Sequence, residues 1–274
     1  MQITKIEQQK KNPQRYSLYI DGSFSLGIDE RVLVNLGLYK GQTLDQNLIN
    51  QIHQEEGESK LYNKTLNYIS YRMRSLKEVQ GYLDKQSKEM DLTEDKKEEI
   101  VRLLQKAGYI NDDQFAIAYM NDAAGLNYKG PRLIHRELVR KGIEEASIQG
   151  ALETYLQSDQ KENAGKLLEK FLRTKSNLPV KQAKRKAYQH LYQKGYESDL
   201  INRLIDQASF ETQADQEESL LDRQGQKLYQ RRQLKYSGYQ LKQKLFEGLA
   251  SKGFNFEAIQ SWLEDHQDWF EEGE

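Results

Sequence analysis

The 274 residues contain no cysteine. That removes disulfides, thiolate zinc sites and cysteine nucleophiles together. Only three prolines occur, so little interrupts helix formation. No run of 18 apolar residues exists, and the opening MQITKIEQQKKNPQRYSLYI lacks the apolar centre of a signal peptide. A cytoplasmic protein with no membrane association is expected. The four histidines, His53, His135, His190 and His266, show no H-E-x-x-H spacing, and no acidic cluster is shaped for calcium. G-x-G-x-x-G and G-x-S-x-G are missing. GLYKGQT, residues 37–43, lacks phosphate-loop spacing and leads out of a helix, so it reads as a turn. Acid pairs such as Glu98 and Glu99 sit on polar helix faces, whereas acid–base catalysis needs carboxylates converging in a pocket. No enzyme, metal, cofactor or small-molecule substrate is expected.

What the chain does have is charge and helix formers. Charged residues make up 30% and apolar residues 37%, the profile of a polar chain with limited core per residue. The formal net charge of −1 conceals segregation. Residues 173–194 hold seven Lys or Arg and no acid, and 226–246 hold six and none. Residues 209–222 hold five acids and no base, and 257–274 hold seven and none. Such blocks concern surfaces and steering.

Residues 1–28 read as strands. In RYSLYIDGSFSLGI a three-residue turn, Asp21-Gly22-Ser23, would pair Ile20 with Phe24, Leu18 with Leu26 and Tyr16 with Ile28, placing the large apolar residues on one face. One short and one longer helix follow, and EEGES, residues 55–59, reads as a linker.

From about residue 60 a helical repeat emerges. Its anchors are Gly142, Gly195 and Gly253, each preceded by lysine and spaced 53 and 58 residues apart. Ile143, Tyr196 and Phe254 come next. Downstream lie Ile148, Ala151 and Leu152; Ile201, Leu204 and Ile205; Ile259, Trp262 and Leu263. Upstream by four and eight are Leu138 and Ile134, Leu191 and Ala187, Leu249 and Leu245. Chance does not align six positions three times. A degenerate copy has Ser87 in the glycine's place, with Val79 and Leu83 before it and Ile100, Leu103 and Leu104 after a seven-residue insertion. Pro131 and Pro179 fall where second helices begin. SLKE (75–78) is a capping box, and Ser237 with Gln240 suggests another. Lysine-glycine suits helix ends, since glycine accepts the left-handed conformation and lysine faces the negative pole.

The expected fold is therefore mainly α: a small head containing a β-hairpin (1–57), then tandem three-helix repeats at 58–108, 109–157, 158–209 and 210–270, stacking into an elongated curved array. Basic residues recur near the junction of first and second helices in every repeat. They are Arg72, Arg74 and Lys77; Lys129, Arg132, Arg136 and Arg140; Arg173, Lys175, Lys181, Lys184 and Arg185; and Arg231, Arg232, Lys235, Lys242 and Lys244. Tyr68, Tyr71, Tyr128, Tyr188, Tyr192, Tyr229, Tyr236 and Tyr239 interleave them, although at helical spacing most tyrosines are core or boundary residues. The bland alternative pairs each basic face with acids of the next repeat, each exposed pair contributing about 0–1 kcal/mol. Otherwise the cations form a track for a phosphate backbone or a repeating acidic protein surface.

LLQKAGYINDDQFAIAYM (103–120), with YRMRSLKEVQGYL before it and GPRLIHRELVRKGI after it, resembles the RecX family of recombination regulators over nearly the whole chain from residue 60. The head and fourth repeat are similar to those of longer members. The missing glycine and the extra residues of the first repeat depart from the pattern. The resemblance implies a partner, the RecA nucleoprotein filament, bound along its groove, with inhibition of ATP hydrolysis and strand exchange and a place in recombination, DNA repair and the SOS response. Some members also bind DNA, single- or double-stranded, directly. It carries over no catalytic residue. The rival readings are a stand-alone single-stranded DNA-binding protein and a helical scaffold for peptides, although the 34-residue period of tetratricopeptide arrays is absent.

Overall fold

The computed structural model describes residues 1–88, 92–175 and 178–270, with side chains throughout except at 211–215. Among the described residues, three strands precede thirteen α-helices. The strands are β1 (Ile3–Gln9), β2 (Asn12–Ile20) and β3 (Ser23–Asp29). The helices are α1 (Glu30–Asn35), α2 (Gln46–Ser70), α3 (Leu76–Ser87), α4 (Glu94–Lys106), α5 (Asp112–Asn127), α6 (Pro131–Arg140) and α7 (Glu145–Glu153), then α8 (Gln157–Thr174), α9 (Val180–Gln193), α10 (Ser198–Gln207), α11 (Glu211–Arg232), α12 (Gly238–Ser251) and α13 (Phe256–Asp265). Backbone packing divides the chain into two units, residues 1–116 with 138–149, and residues 117–137 with 150–274.

In the first unit β1, β2 and β3 form an antiparallel meander. The turn between β2 and β3 differs from the three-residue expectation. Asp21 and Gly22 alone turn the chain, both with positive φ (48° and 86°), and Ile20 pairs with Ser23. That mirror-image turn matches the twist of paired strands. A bulge between Leu18 and Tyr19 then restores the register, so Leu18 opposes Leu26 and Tyr16 opposes Ile28 as expected, while Phe24 pairs with Tyr19. Ile3, Leu18, Ile28, Val32, Leu38, Leu44 and Ile52 make the core beneath the sheet.

The expected linker at 55–59 lies inside α2. Its composition suggested a loop, but Glu56 is only 4% exposed. Its carboxylate accepts bonds from Arg15 Nη2 (2.7 Å) and from the backbone N of Asp29 (2.8 Å). A mid-helix glycine costs about 1 kcal/mol, less than such charge-assisted bonds supply in a buried site.

α3 opens with the expected capping box, Ser75 with Glu78. Around it Leu61, Tyr62, Val79, Leu83, Ile100, Leu104 and Ile110 are buried, each large aliphatic contributing roughly 1.5–3 kcal/mol. Two expectations fail here. α3 runs through Ser87, and the next residue, Lys88, has φ −57°, so no left-handed turn stands in the glycine's place. On α4 the inward row is Lys97, Ile100 and Leu104, which turns Leu103 outward to 45% exposure. Residues 89–91 of the insertion after Ser87 lie outside the described residues.

The second unit holds two apolar clusters. One is built on Leu168, Ala183, Ala187, Leu191, Tyr196, Ile201 and Ile205, the other on Leu221, Leu241, Leu245, Leu249, Phe254, Ile259, Trp262 and Leu263. Pro131 is the first residue of α6 and Pro179 immediately precedes α9. The indole of Trp262 lies on Gly225 of α11 so closely that any Cβ there would collide with it. Ser237 precedes α12 in an extended conformation but its side chain makes no capping bond, so the second expected capping box is not formed.

Candidate basic interface

The sequence-expected cations cluster around the starts of α3, α6, α9 and α12, so what fixes those starts positions the cations. A helix leaves its first N–H groups without partners inside the helix. At α3 they bond Asp112 and Ser75, at α9 the N–H of Val180 reaches Glu217, and at α6 that of Arg132 bonds the Lys-Gly turn ending α9; all three starts nonetheless lie against such a turn. Gly142, Gly195 and Gly253 have φ of 79°, 91° and 89°, a conformation that exposes the last carbonyls and penalises any residue with a Cβ. Ser75 Oγ donates to the carbonyl of Lys141 (2.8 Å), and Lys77 Nζ reaches the carbonyl of Arg140 (3.3 Å). At the next junction backbone meets backbone, with Gly130 N on Lys194 O (2.7 Å) and Arg132 N on Gly195 O (3.1 Å). Tyr196 OH adds a bond to the carbonyl of Tyr128 (2.9 Å). At the third junction Gly253 faces Gln182, whose Cβ would lie 3.3 Å from an added methyl.

In the first unit the cations are largely engaged. Arg72 grips both oxygens of Glu78 (3.0 and 3.1 Å), and Lys141 joins the same carboxylate (3.1 Å). Burial alone would raise the Glu78 carboxyl, but the hydrogen bonds from Arg72 and Lys141 and from the backbone of Ser75 outweigh it and hold it at about 2. Arg74 lies 4.0 Å over the Tyr68 ring, which itself stacks on Tyr82. The stem of Lys77 covers Gly142. Arg140 is exposed and makes no ion pair among the described residues.

In the second unit Lys129 holds both oxygens of Glu137 (2.7 and 2.8 Å), and Tyr119 OH donates to the same carboxylate. Burial, then the hydrogen bond to Glu137, pushes the Tyr119 hydroxyl up to about 12. Arg132 pairs with Glu197 (2.6 Å), both about half exposed. Arg136 is exposed and has no ion pair among the described residues, although its charge helps to lower the Glu137 carboxyl. Arg173 and Lys175 close α8 and are exposed. On α9, Lys181 lies over Phe256 (5.8 Å) and Lys184 over Phe210 (5.2 Å), while Arg185 extends into solvent. Arg231 and Arg232 lie in the last turn of α11, where positive charge suits the helix pole, and Lys235 follows it. Lys242 lies 5.9 Å from the Phe270 ring centre and Lys244 pairs with Glu247.

Four of the expected residues, Arg72, Lys129, Arg132 and Lys244, are thus ion-paired to Glu78, Glu137, Glu197 and Glu247. The sequence reading missed those carboxylates; only Glu78 and Glu247 stand near their partners in sequence. It also passed over Lys186, exposed on α9 within the same basic run. Of the tyrosines, Tyr71, Tyr192 and Tyr239 are exposed and the others half-buried. Among the described residues no cluster of three or more His, Asp or Glu could hold a metal ion. No helix among them is long and apolar enough to cross a membrane.

Comparison with known proteins gives a consistent set of relatives. The family model for the N-terminal domain of regulatory protein RecX matches residues 1–45. That for the second three-helix domain of RecX matches 111–152, and that for the third matches twice, at 158–205 and 215–263. The chain is 37% identical over 267 residues to the regulatory protein RecX of Oceanobacillus iheyensis, covering 96% of this chain and 97% of that one. It is 36% identical to the Listeria innocua RecX over the full length of both, and 34% to that of Bacillus subtilis over 97% and 98%. A crystal structure of regulatory protein RecX superposes with a TM-score of 0.65 at 33% identity, covering 75% of this chain and 99% of that one.

Proposed function

The chain belongs to the RecX family of regulatory proteins, and on that premise we propose that it is a cytoplasmic, non-enzymatic regulator of homologous recombination and DNA repair whose partner is the RecA nucleoprotein filament. It binds along the filament and lowers RecA's ATP hydrolysis and strand exchange. Residues 58–108, 109–157, 158–209 and 210–270 act as its four binding repeats behind the head.

The observation that supports this reading most is the set of exposed cations that have no carboxylate partner among the described residues: Arg136 and Arg140 on α6, Arg173 and Lys175 at the end of α8, and Lys184 and Arg185 on α9. Exposed charges without internal partners retain their full value for steering and docking.

The test is RecA's ATP hydrolysis on single-stranded DNA with rising amounts of this protein, beside its own DNA binding without RecA. The rate should fall. An unchanged rate, together with DNA affinity that drops steeply with salt at a slope near −0.7 per neutralised phosphate, would instead make the protein a plain single-strand binder.

A further inference from the structure

Aligned at their first residues, α3, α6, α9 and α12 each turn their second, sixth and tenth positions to solvent. Residues four apart share one face of a helix, so the three positions form a ridge. On α3 and α9 the ridge carries two cations, on α6 three, Arg132, Arg136 and Arg140, and on α12 none; there it ends in Glu247. The last helices invert the sign a second time. Between α11 and α13 lies a cleft of about 470 Å³. Leu221, Ala258 and Trp262 make an apolar floor, Glu218, Glu257 and Asp265 stand around it, and among the described residues no cation lines it. Nor has any of those three carboxylates an ion pair or hydrogen bond among the described residues. Lys181 and Lys184, in the adjoining cleft, lie over Phe256 and Phe210 instead.

Carboxylates without cations around an apolar floor fit a side chain that joins an aliphatic stem to a permanent positive charge, as arginine does. They repel a phosphate backbone. The complementary surface is present on this chain. Arg136 and Arg140 stand one turn apart on the α6 ridge, exposed and with no ion pair among the described residues, while Arg132 is held by Glu197. A net charge of −1 leaves two copies little overall repulsion, a condition that favours association. The two patches lie on different helices, so a contact between copies is heterologous, the cleft of one meeting the ridge of the other. We infer that the cleft between α11 and α13 receives Arg136 and Arg140 of a second copy. Resting on the functional reading above, a copy held this way has its α6 ridge withheld from RecA, so self-association sets the amount of active regulator.

The experiment is sedimentation velocity of the full chain over a range of concentrations, at about 0.05 M salt and at about 1 M, where charges are screened within roughly 3 Å. It compares the wild type, the cleft variant Glu218→Lys/Glu257→Lys and the ridge variant Arg136→Glu/Arg140→Glu, each checked for wild-type helicity. The wild type should associate with rising concentration at the lower salt and sediment as a monomer at the higher. Each variant alone should stay monomeric, and an equimolar mixture should associate, because the untouched cleft of one meets the untouched ridge of the other. A wild type that is monomeric at the lower salt, a variant that associates as the wild type does, or a mixture that stays monomeric overturns the inference. A monomeric wild type whose cleft variant loses RecA binding would assign the cleft to a cationic segment of RecA instead. In RecA's ATP hydrolysis at the lower salt, the cleft variant should inhibit at a lower concentration than the wild type. A wild type that associates as described but does not inhibit RecA overturns the functional reading and leaves the contact between copies standing.

Discussion

A methyl group on Gly195 would stand 2.6 Å from the Cβ of Leu133 and closer still to its backbone nitrogen. The glycine is therefore required twice, by its left-handed φ and by the helix start pressed against it. Gly195→Ala should lower stability by about 3 kcal/mol, combining backbone strain of roughly 1–2 kcal/mol with overpacking of similar size. Gly253→Ala meets Gln182 only at 3.3 Å and should cost nearer the strain alone, about 1–2 kcal/mol. Urea unfolding of the two variants checks the order. Equal losses would mean that the junction at Gly195 adds nothing to the backbone term.

The Arg15–Glu56 pair ties the sheet to α2. Glu56 is nearly enclosed, with side-chain exposures of 23% for Arg15 and 5% for Glu56, so removing the arginine strands a buried charge. Arg15→Ala should destabilise by about 3 kcal/mol, in the range for broken buried pairs, and Arg15→Ala/Glu56→Gln by less than the sum of the single losses. Additive losses in denaturant titrations would show that the two side chains do not act together.

Glu78 gives the first unit a pH dependence of known sign. Its carboxyl is held at about 2 in the fold against an ordinary 4.5, so the folded state favours the ionised form. The stability it contributes is complete above about pH 5 and is lost as pH falls towards 2. Near pH 7 Glu78→Gln should cost on the order of 2–3 kcal/mol, discounted for the half-exposed Arg72 partner, and the gap to wild type should close as pH falls towards 2. A gap independent of pH would assign the loss to the capping box alone.

Much of this architecture is legible in the sequence because it repeats locally. The inward positions around Leu138, Leu191 and Leu249 follow helical period, and all three are fully buried. What the glycines press against is not legible. Leu133 lies 62 positions before Gly195, and the junction is held by the backbone N of Arg132 on the Gly195 carbonyl, which leaves no trace in residue type. Composition misleads at Glu55–Ser59, where a loop-like stretch is helical because Arg15, about 40 residues earlier, supplies a partner for Glu56. The basic faces are legible as charge but not as availability. Glu137 and Glu197 occupy Lys129 and Arg132, and only the fold brings Glu197 to Arg132.

On the function proposed above, that difference between engaged and free cations separates stability from function on α6. Lys129, bonded to both oxygens of Glu137 beside Tyr119, holds the helix in place. Lys129→Gln should cost about 1–2 kcal/mol of stability while leaving RecA inhibition by the folded protein close to wild type. Arg136 and Arg140 sit one helical turn apart, exposed and with no ion pair among the described residues, and their mutual repulsion is a few tenths of a kcal/mol. Arg136→Glu/Arg140→Glu should therefore move the thermal midpoint little and yet weaken inhibition of RecA's ATP hydrolysis by tenfold or more. Inhibition that survives the double reversal would remove this stripe from the mechanism. Loss of inhibition in Lys129→Gln at full helicity would show that the pairing with Glu137 does not withhold a cation from the partner.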